Sequence, residues 1–332
     1  MALNITRRRF ISISAAAGGL GLLPLARGAK AQASVVTWRG VALGAVASLQ
    51  IHHRDRAAAE TLVQRSLDEL RRLERLFSLY REDSALAALN RRGVLEAPPA
   101  ELVELLGEAR RFSELTGGAF DPTVQPLWTL YTDHFSKPDA DPDGPATANV
   151  KAALALVGYR KILVSRDRIA LAHRGMALTL NGIAQGYITD RIVALLRAGG
   201  IGHSMVDMGE SRAIGTRPDG HPWAVGLADP DEPWRIAETI PIVDQAVATS
   251  GGYGFRFDPA GRFNHLLDPK TGQSADRYRS VTVVMPTATA ADALSTAFSL
   301  LAEGDINAAL AGFGHGQAHI LTASGQRIKL IA

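Results

Sequence analysis

Two stretches in the first half of the chain have the apolar spacing of amphipathic helices. In residues 57–77 the apolar positions recur every three or four residues, with arginine and glutamate between them, which predicts a helix with one buried face. A second helix is predicted to begin after Pro98-Pro99 and to stop at Gly117-Gly118, because proline suits the first turn of a helix and glycine its end.

The second half mixes short strand patterns with two further helices. Helices are predicted from Gly186 to Gly199 and over 290–301. Residues 137–146, rich in aspartate and proline, predict a surface loop. Because strands and helices do not alternate regularly, the pattern predicts an α+β fold and not a doubly wound parallel sheet. Strands are predicted at 34–51, 161–164, 168–171, 176–180 and 280–285, with several more between 203 and 257 and a closing hairpin near 318–331.

The first 31 residues have the layout of a twin-arginine export signal. Consecutive arginines at 7–9 precede an apolar run over 11–25, and small-residue cleavage candidates follow at 29–33. The run is shorter than the roughly 18 residues that span a bilayer as a helix. We therefore expect a cleaved leader over 1–31 and no stable membrane anchor, with a periplasmic domain over 32–332.

Composition narrows the classes of partner and site. Five of the 36 Lys and Arg residues, and none of the 33 acids, lie in 1–31, so the rest of the chain has a formal charge of −2. Binding to nucleic acid or to an anionic membrane is therefore not indicated. The absence of cysteine from the sequence excludes disulfides, thiolate metal sites and a lipid-modified cysteine.

A glycine turn is predicted at the start of the third helix. Residues 176–186 read as a strand that turns through Gly182 into a helix, and the free N–H groups and positive dipole end at such a turn can hold a phosphate. Taken alone, the glycines are better explained by tight packing between a strand and a helix.

A carboxylate and a hydroxyl share one face of the last predicted helix. Asp292 and Thr296 are four residues apart, so both side chains project from the same side. Magnesium accepts hard oxygen donors of this kind when phosphate oxygens and water complete its coordination. The alternative is an aspartate that only complements the helix dipole, beside a threonine that faces solvent.

Together with several polar turns, these segments resemble the ApbE family of FAD:protein FMN transferases over the whole chain after the leader. The turns include 118–124, 247–253 and a loop in which His265 precedes an Asp-Pro pair. Turn chemistry explains 118–124 or 247–253 taken alone, whereas the joint order of all the stretches is specific. The resembling stretches are 77–80, 83–84, 89–90, 118–126, 180–190, 206–210, 225–230, 248–253, 265–272 and 280–296.

The resemblance implies an α+β fold of mixed sheets and packed helices in two closely joined lobes around a flavin cleft. It implies that the cleft holds FAD with its pyrophosphate bridged by magnesium. FMN would pass to a threonine of an acceptor protein while AMP leaves. Such phosphoryl transfer depends on positioning and charge neutralisation more than on a protein nucleophile.

The resemblance also implies roles for particular residues. Magnesium ligands would be Asp292, Thr296 and the main-chain carbonyl of Gly182, with Ser295 nearby. His265 would be the general base for the incoming threonine hydroxyl, and Asp292 would be catalytic as the main metal carboxylate. FAD contacts would come from Leu43, Tyr80, Ala119, Phe120, Asp121, Thr179, Gln185 and Leu266.

Several positions depart from the commoner family pattern. Thr179 stands where an aspartate is usual, and Gln185 where a lysine is frequent. Residues 43–45 replace Met-Gly-Thr, and Asn264 takes the first place of a paired histidine. The departures at 179 and 185 remove charges that could tune the phosphates and the metal.

Two other functions are compatible with the same residues. The first is a magnesium-dependent FAD pyrophosphatase, in which water replaces the threonine and releases FMN and AMP. The second is a periplasmic flavin-binding accessory protein without turnover, which the departures at Thr179 and Gln185 favour. For the transferase, the twin-arginine leader predicts acceptors outside the cytoplasm, among the flavin-carrying subunits of respiratory electron transfer. The leader type also resembles that of periplasmic relatives serving nitrous-oxide respiration.

Overall fold

The computed structural model describes residues 34–232 and 234–332, so the predicted leader over 1–31 lies outside the described residues. Strands and helices follow one another in irregular alternation, which confirms the predicted α+β class. No helix in these two ranges is long and apolar enough to cross a membrane.

Strands in the described chain form one large and two small antiparallel sheets. They are β1 (Ser34–Ala42), β2 (Ala45–His53), β3 (Val94–Glu96), β4 (Ile162–Val164), β5 (Arg168–Leu171), β6 (Ser204–Asp207), β7 (Ser211–Ile214), β8 (Trp223–Ala228), β9 (Ile236–Ile242), β10 (Ala246–Ser250), β11 (Tyr278–Met285), β12 (Gln317–Thr322) and β13 (Arg327–Ile331). The large sheet has the order β1-β2-β6-β7-β10-β11-β12-β13, and the small sheets are β3-β5-β4 and β8-β9.

The helices include all four that the apolar spacing predicts. Their bounds are α1 (Arg56–Phe77), α2 (Ala85–Arg92), α3 (Ala100–Leu115), α4 (Gln125–Phe135), α5 (Thr147–Leu154), α6 (Ala184–Ala198), α7 (Ala288–Phe298) and α8 (Glu303–Phe313). Asp55 caps α1 by accepting a hydrogen bond from the Ala58 N–H at 3.1 Å. The predicted helix over 290–301 is α7, and the predicted loop over 137–146 lies between α4 and α5.

The prediction of a strand over 176–180 is wrong, because this segment pairs with no strand. Its backbone groups are satisfied by a side chain instead. The Asn90 amide donates to the Leu178 carbonyl and accepts from the Leu178 N–H, both at 2.8 Å. The Thr179 N–H donates to the Pro122 carbonyl at 2.8 Å. A single asparagine thus replaces a strand neighbour, which periodicity cannot reveal.

The main core lies between the large sheet and three helices. Helix α6 packs between α1 and α7, while α1 packs on β1 and β2 and α7 packs on β10 and β11. A separate apolar cluster holds α4 and α5 against the loop that follows β10, with Tyr131, Phe257 and Phe263 among its aromatic rings. The cleft described below lies between these two regions, as the predicted pair of joined lobes requires.

Helices α6 and α7 approach each other closely at Gly186. A Cβ added there would lie 2.3 Å from the Ala288 carbonyl oxygen and 2.8 Å from the Thr289 Cα. Both are backbone atoms, which cannot rotate away as a flexible side chain can. Only glycine therefore permits this crossing, and the glycine that the sequence places in the predicted turn has a packing function.

Gly186→Ala is expected to lower the free energy of unfolding by about 1–3 kcal/mol, since α6 and α7 must move apart to admit the methyl group. Urea unfolding measures the change. The matched control is Gly107→Ala in the exposed middle of α3, where a Cβ would meet nothing within 4 Å. This control should leave stability unchanged or raise it by up to about 1 kcal/mol. Equal stability of the two variants would contradict the packing argument.

Candidate active site

A cleft opens at one end of the large sheet, where three of its turns meet. These are the turn between β1 and β2, the turn between β6 and β7, and the segment that follows β10. Residues predicted from different parts of the sequence come together on its wall. They are Leu43, Tyr80, Ala119, Phe120, Asp121, Thr179, Gly182, Gln185, His265, Leu266, Asp292 and Thr296.

The fold brings Gly182, Asp292 and Thr296, three of the predicted metal ligands, to the wall of one cleft. A Cβ added at Gly182 would lie 2.8 Å from the Thr296 Oγ1, so the glycine turn touches the polar face of α7. Asp292 lines the same wall and is 4% exposed. The four-residue spacing thus places Asp292 and Thr296 on the cleft side of α7, and Thr296 lies against Gly182.

One carboxylate oxygen of Asp292 already accepts a hydrogen bond from the backbone. Its Oδ2 accepts from the Gly186 N–H at 3.0 Å, and Gly186 supplies one of the free N–H groups at the start of α6. Burial raises the pKa of Asp292 to about 7, with the charge of Asp190 acting in the same direction and the Gly186 hydrogen bond opposing both. The carboxyl is therefore poised to gain a cation as a partner.

The donor set fits a hard cation that also binds phosphate. Within the two described ranges, no group of three His, Cys, Asp or Glu side chains could hold a metal ion alone. Asp292, Thr296 and the Gly182 carbonyl offer only oxygen atoms, and few of them. Magnesium is usually bound in this manner, by one or two carboxylates with phosphate oxygens completing its shell.

Ser295 occupies a different position from the other predicted metal residues. It is 1% exposed, and its Oγ lies 2.8 Å from the Ser250 Oγ and donates to the Asp292 carbonyl at 3.0 Å. Ser250 lines the cleft and Ser295 lies behind it. Ser295 therefore braces α7 against β10 instead of facing the cleft.

The Asp121 carboxylate is used inside the protein. Its Oδ1 accepts from the Thr123 N–H at 2.8 Å and the Thr123 Oγ1 at 2.6 Å, and its Oδ2 accepts from the Tyr159 N–H at 2.8 Å. Burial raises the pKa of Asp121, and these hydrogen bonds oppose that rise. The side chain thus fixes the loop shape, which leaves the backbone of 119–121 to face the cleft.

His265 is held by one ring nitrogen. Its Nδ1 lies 3.2 Å from the Phe255 carbonyl oxygen, a partner that requires Nδ1 to be the donor and leaves Nε2 as an acceptor. Burial lowers the pKa of His265, so the neutral ring is favoured at neutral pH. A neutral imidazole at the cleft wall can accept a proton from an incoming hydroxyl.

Asn264, which departs from the family pattern, shapes the loop that carries His265. Its Nδ2 donates to the Ala275 carbonyl at 2.7 Å, and its Oδ1 accepts from the Leu266 N–H at 3.0 Å. It is 7% exposed. The asparagine therefore replaces a second imidazole with a hydrogen-bonding role in the loop itself.

Gln185 also has a packing role. A Cβ added at Gly209 would lie 2.5 Å from the Gln185 Nε2, so the amide lies flat against the turn between β6 and β7. Gly209 has a φ of +108°, which favours glycine for a second reason. The uncharged side chain fits closely here.

Sequence reasoning missed Glu210, which lines the cleft. Burial, followed by the charges of Asp292 and Asp207, raises the pKa of Glu210 well above its usual range. The family resemblance covers 206–210 but implies no role for Glu210. The available signal was an acidic residue directly after a Gly turn at the end of a predicted strand.

Most of the chain matches one known protein family. The family model described as the ApbE family matches residues 43–320. The chain belongs to the ApbE family. It is 31% identical to the FAD:protein FMN transferase of Vibrio cholerae over 294 residues, covering 86% of each chain. It is 33% identical to the enzyme of the same name from Treponema pallidum over 288 residues, covering 78% of this chain and 76% of the relative.

Solved structures of ApbE proteins share the fold. The apo flavinyl transferase ApbE of Pseudomonas stutzeri superimposes with a TM-score of 0.75 at 27% identity, covering 90% of this chain and 96% of the other. The ApbE protein of Thermotoga maritima gives a TM-score of 0.77 at 30% identity, covering 90% and 97%. The predicted ApbE-like fold is therefore confirmed.

The pKa of Asp292 predicts how stability depends on pH in the absence of divalent cations. The folded-state pKa of about 7 exceeds the unfolded value of 3.8, so the stability contributed by the protonated carboxyl is complete below pH 3.8 and is lost as the pH rises through about 7. Urea unfolding in EDTA should show falling stability over this window. Asp292→Asn should make the slope shallower, and an unchanged slope would contradict the buried-acid assignment.

Proposed function

We propose that this ApbE-family protein transfers the FMN half of FAD to a threonine of an acceptor protein, with magnesium at Asp292, Thr296 and Gly182. The observation that carries the proposal is the contact between the Gly182 turn and the Asp292 face of α7 inside one cleft. The names of the curated relatives, FAD:protein FMN transferase, support the flavin substrate and the protein acceptor.

The proposed reaction is a phosphoryl-type transfer. The threonine oxygen forms a bond to the phosphorus of the FMN half, and the bond from that phosphorus to the bridging oxygen of the pyrophosphate breaks. AMP leaves with the bridging oxygen. Magnesium would neutralise charge on the linked phosphates, which is the main electrostatic requirement of this chemistry.

The residues of the chain supply orientation and a proton acceptor. The Asp292 carboxylate, the Thr296 hydroxyl and the Gly182 carbonyl would hold the cation against the start of α6, whose dipole also favours phosphate. The His265 Nε2 would accept the proton of the threonine hydroxyl. The roles of the predicted FAD contacts are part of the same proposal, and their support is that all eight line the cleft.

The proposal places the reaction outside the cytoplasm. Its support is the arginine-led apolar segment in residues 1–31. Acceptors would then be exported flavin-carrying proteins, with the subunits of respiratory electron transfer as the expected class.

Transfer is tested by incubating the purified protein with FAD, magnesium and an extract of exported proteins, and then looking for flavin fluorescence on a denaturing gel. We expect a labelled polypeptide with wild type and none with Asp292→Asn, which removes the charge of the main metal carboxylate. Asp305→Asn, an exposed acid on α8, is the charge-matched control and should label as wild type does. Free FMN and AMP without a labelled polypeptide would instead identify a pyrophosphatase, and intact bound FAD in excess magnesium a flavin-binding accessory protein.

His265→Gln should lower the rate of transfer about 10²–10⁴-fold, the usual contribution of a general base. FAD affinity should remain within about two-fold of wild type, because the ring is assigned to the acceptor hydroxyl and not to FAD. Since burial lowers the pKa of His265 below 6.5, the wild-type rate should fall only on the acid side of that value. Loss of FAD binding in the variant, with no separate effect on rate, would contradict this role.

A further inference from the structure

Two carboxylates connect α6 and α7 in opposite directions. Asp292 of α7 accepts from the backbone of α6 at Gly186, at 3.0 Å. Four residues later in α6, Asp190 accepts from the backbone of α7, where the N–H groups of Ala288 and Thr289 donate at 2.8 and 2.9 Å. Each helix therefore supplies one side chain and one piece of backbone to the same crossing.

Asp190 has two further partners. The Thr289 Oγ1 donates to its Oδ2 at 2.6 Å. Arg212 of β7 forms an ion pair and hydrogen bond with its Oδ1, and the two side chains are only 16% and 10% exposed for Asp190 and Arg212. One carboxylate thus joins α6, the first turn of α7 and the large sheet, through charge-assisted hydrogen bonds.

The location of these bonds matters for the cleft. Asp190 does not line the cleft, whereas Asp292, one turn after Ala288 in the same helix, does. The Asp292 Oδ2 is bonded to Gly186, and its Oδ1 makes no hydrogen bond in the described structure. Because α7 is a rigid element, fixing its first turn fixes the rotation of the helix about its axis and its position along that axis. Both determine where Asp292 and Thr296 lie relative to Gly182.

We infer that Asp190 is a positioning residue for the cation site, acting by locking the first turn of α7 so that the Asp292 Oδ1 and Thr296 Oγ1 face the Gly182 turn. The inference rests on the proposed function, because it takes these oxygens to bind magnesium. Asp190 itself does not line the cleft, so it would touch neither the cation nor FAD. Outer partners of this type commonly control metal affinity through the ligands that they orient.

The test compares three variants. Asp190→Asn keeps the shape of the side chain but replaces one acceptor oxygen with a donor amide, which cannot satisfy all of the present donors. Thr289→Val removes only the Thr289 hydroxyl bond and provides a milder variant. The control is Asp244→Asn. The Asp244 carboxylate accepts hydrogen bonds from the Arg197 side chain of α6 and from the Gly215 N–H, and it makes no hydrogen bond to α7.

Magnesium is titrated into each protein in the presence of saturating FAD, and the rise in melting temperature is recorded against magnesium concentration. We expect the half-saturating concentration to rise at least about ten-fold for Asp190→Asn, the usual range for loss of an outer partner. Thr289→Val should show a smaller rise, and Asp244→Asn should stay within about two-fold of wild type. FAD affinity measured in EDTA should be unchanged in all three.

Two results would overturn the inference. One is an equal magnesium requirement in Asp190→Asn and Asp244→Asn, and the other is an equal loss of FAD affinity in EDTA and of magnesium affinity, which would indicate a general loss of structure. If Asp190→Asn does not fold, the magnesium requirement of Thr289→Val decides alone. If wild type itself shows no magnesium effect, the metal part of the proposed function fails, and Asp190 is then only a structural residue.

Discussion

The close approach of α6 and α7 at Gly186 is the constraint on which the site depends. The absence of a side chain lets the Ala288 carbonyl come close enough that the Gly186 N–H reaches Asp292. This one bond satisfies a free donor at the start of α6 and orients a carboxylate that would be costly to bury alone. The same contact therefore packs α6 against α7 and orients the Asp292 carboxylate, and neither can change without the other.

The rest of the cleft wall comes from turns that lie together at one end of the large sheet. The turn between β1 and β2 has positive φ at both Leu43 and Gly44, and the Leu43 N–H is anchored on the Glu74 side chain of α1 at 2.8 Å. The next turn brings Gly209 against Gln185. Backbone that is fixed in this manner offers a preformed surface, so little ordering is needed when a ligand enters.

The sequence predicts those parts of the site that follow from spacing along one element. Asp292 and Thr296 share a helical face because they are four residues apart, and the helix itself follows from its apolar positions. Contacts between distant segments were beyond such reasoning. The Asn90 amide, 88 residues away in sequence, bonds the backbone of Leu178 in place of the neighbouring strand that the pattern predicts. The raised pKa of Glu210 depends in part on the charges of Asp207 and Asp292, which only the fold brings near. The assignment of residues from distant segments to one site comes from the family resemblance, because spacing along one element does not decide it.

The contact at Gly186 also couples ligand binding in the cleft to folding of the chain. Since Gly182, Asp292 and Thr296 come together only when both helices are docked, an unfolded chain has no site, and a ligand of the cleft binds the native state alone. Mass action then makes the loaded protein harder to unfold, by about 2.7 kcal/mol at a ligand concentration one hundred times the dissociation constant. A cell that keeps this ligand abundant would thereby protect the protein from proteases as well as supply its substrate.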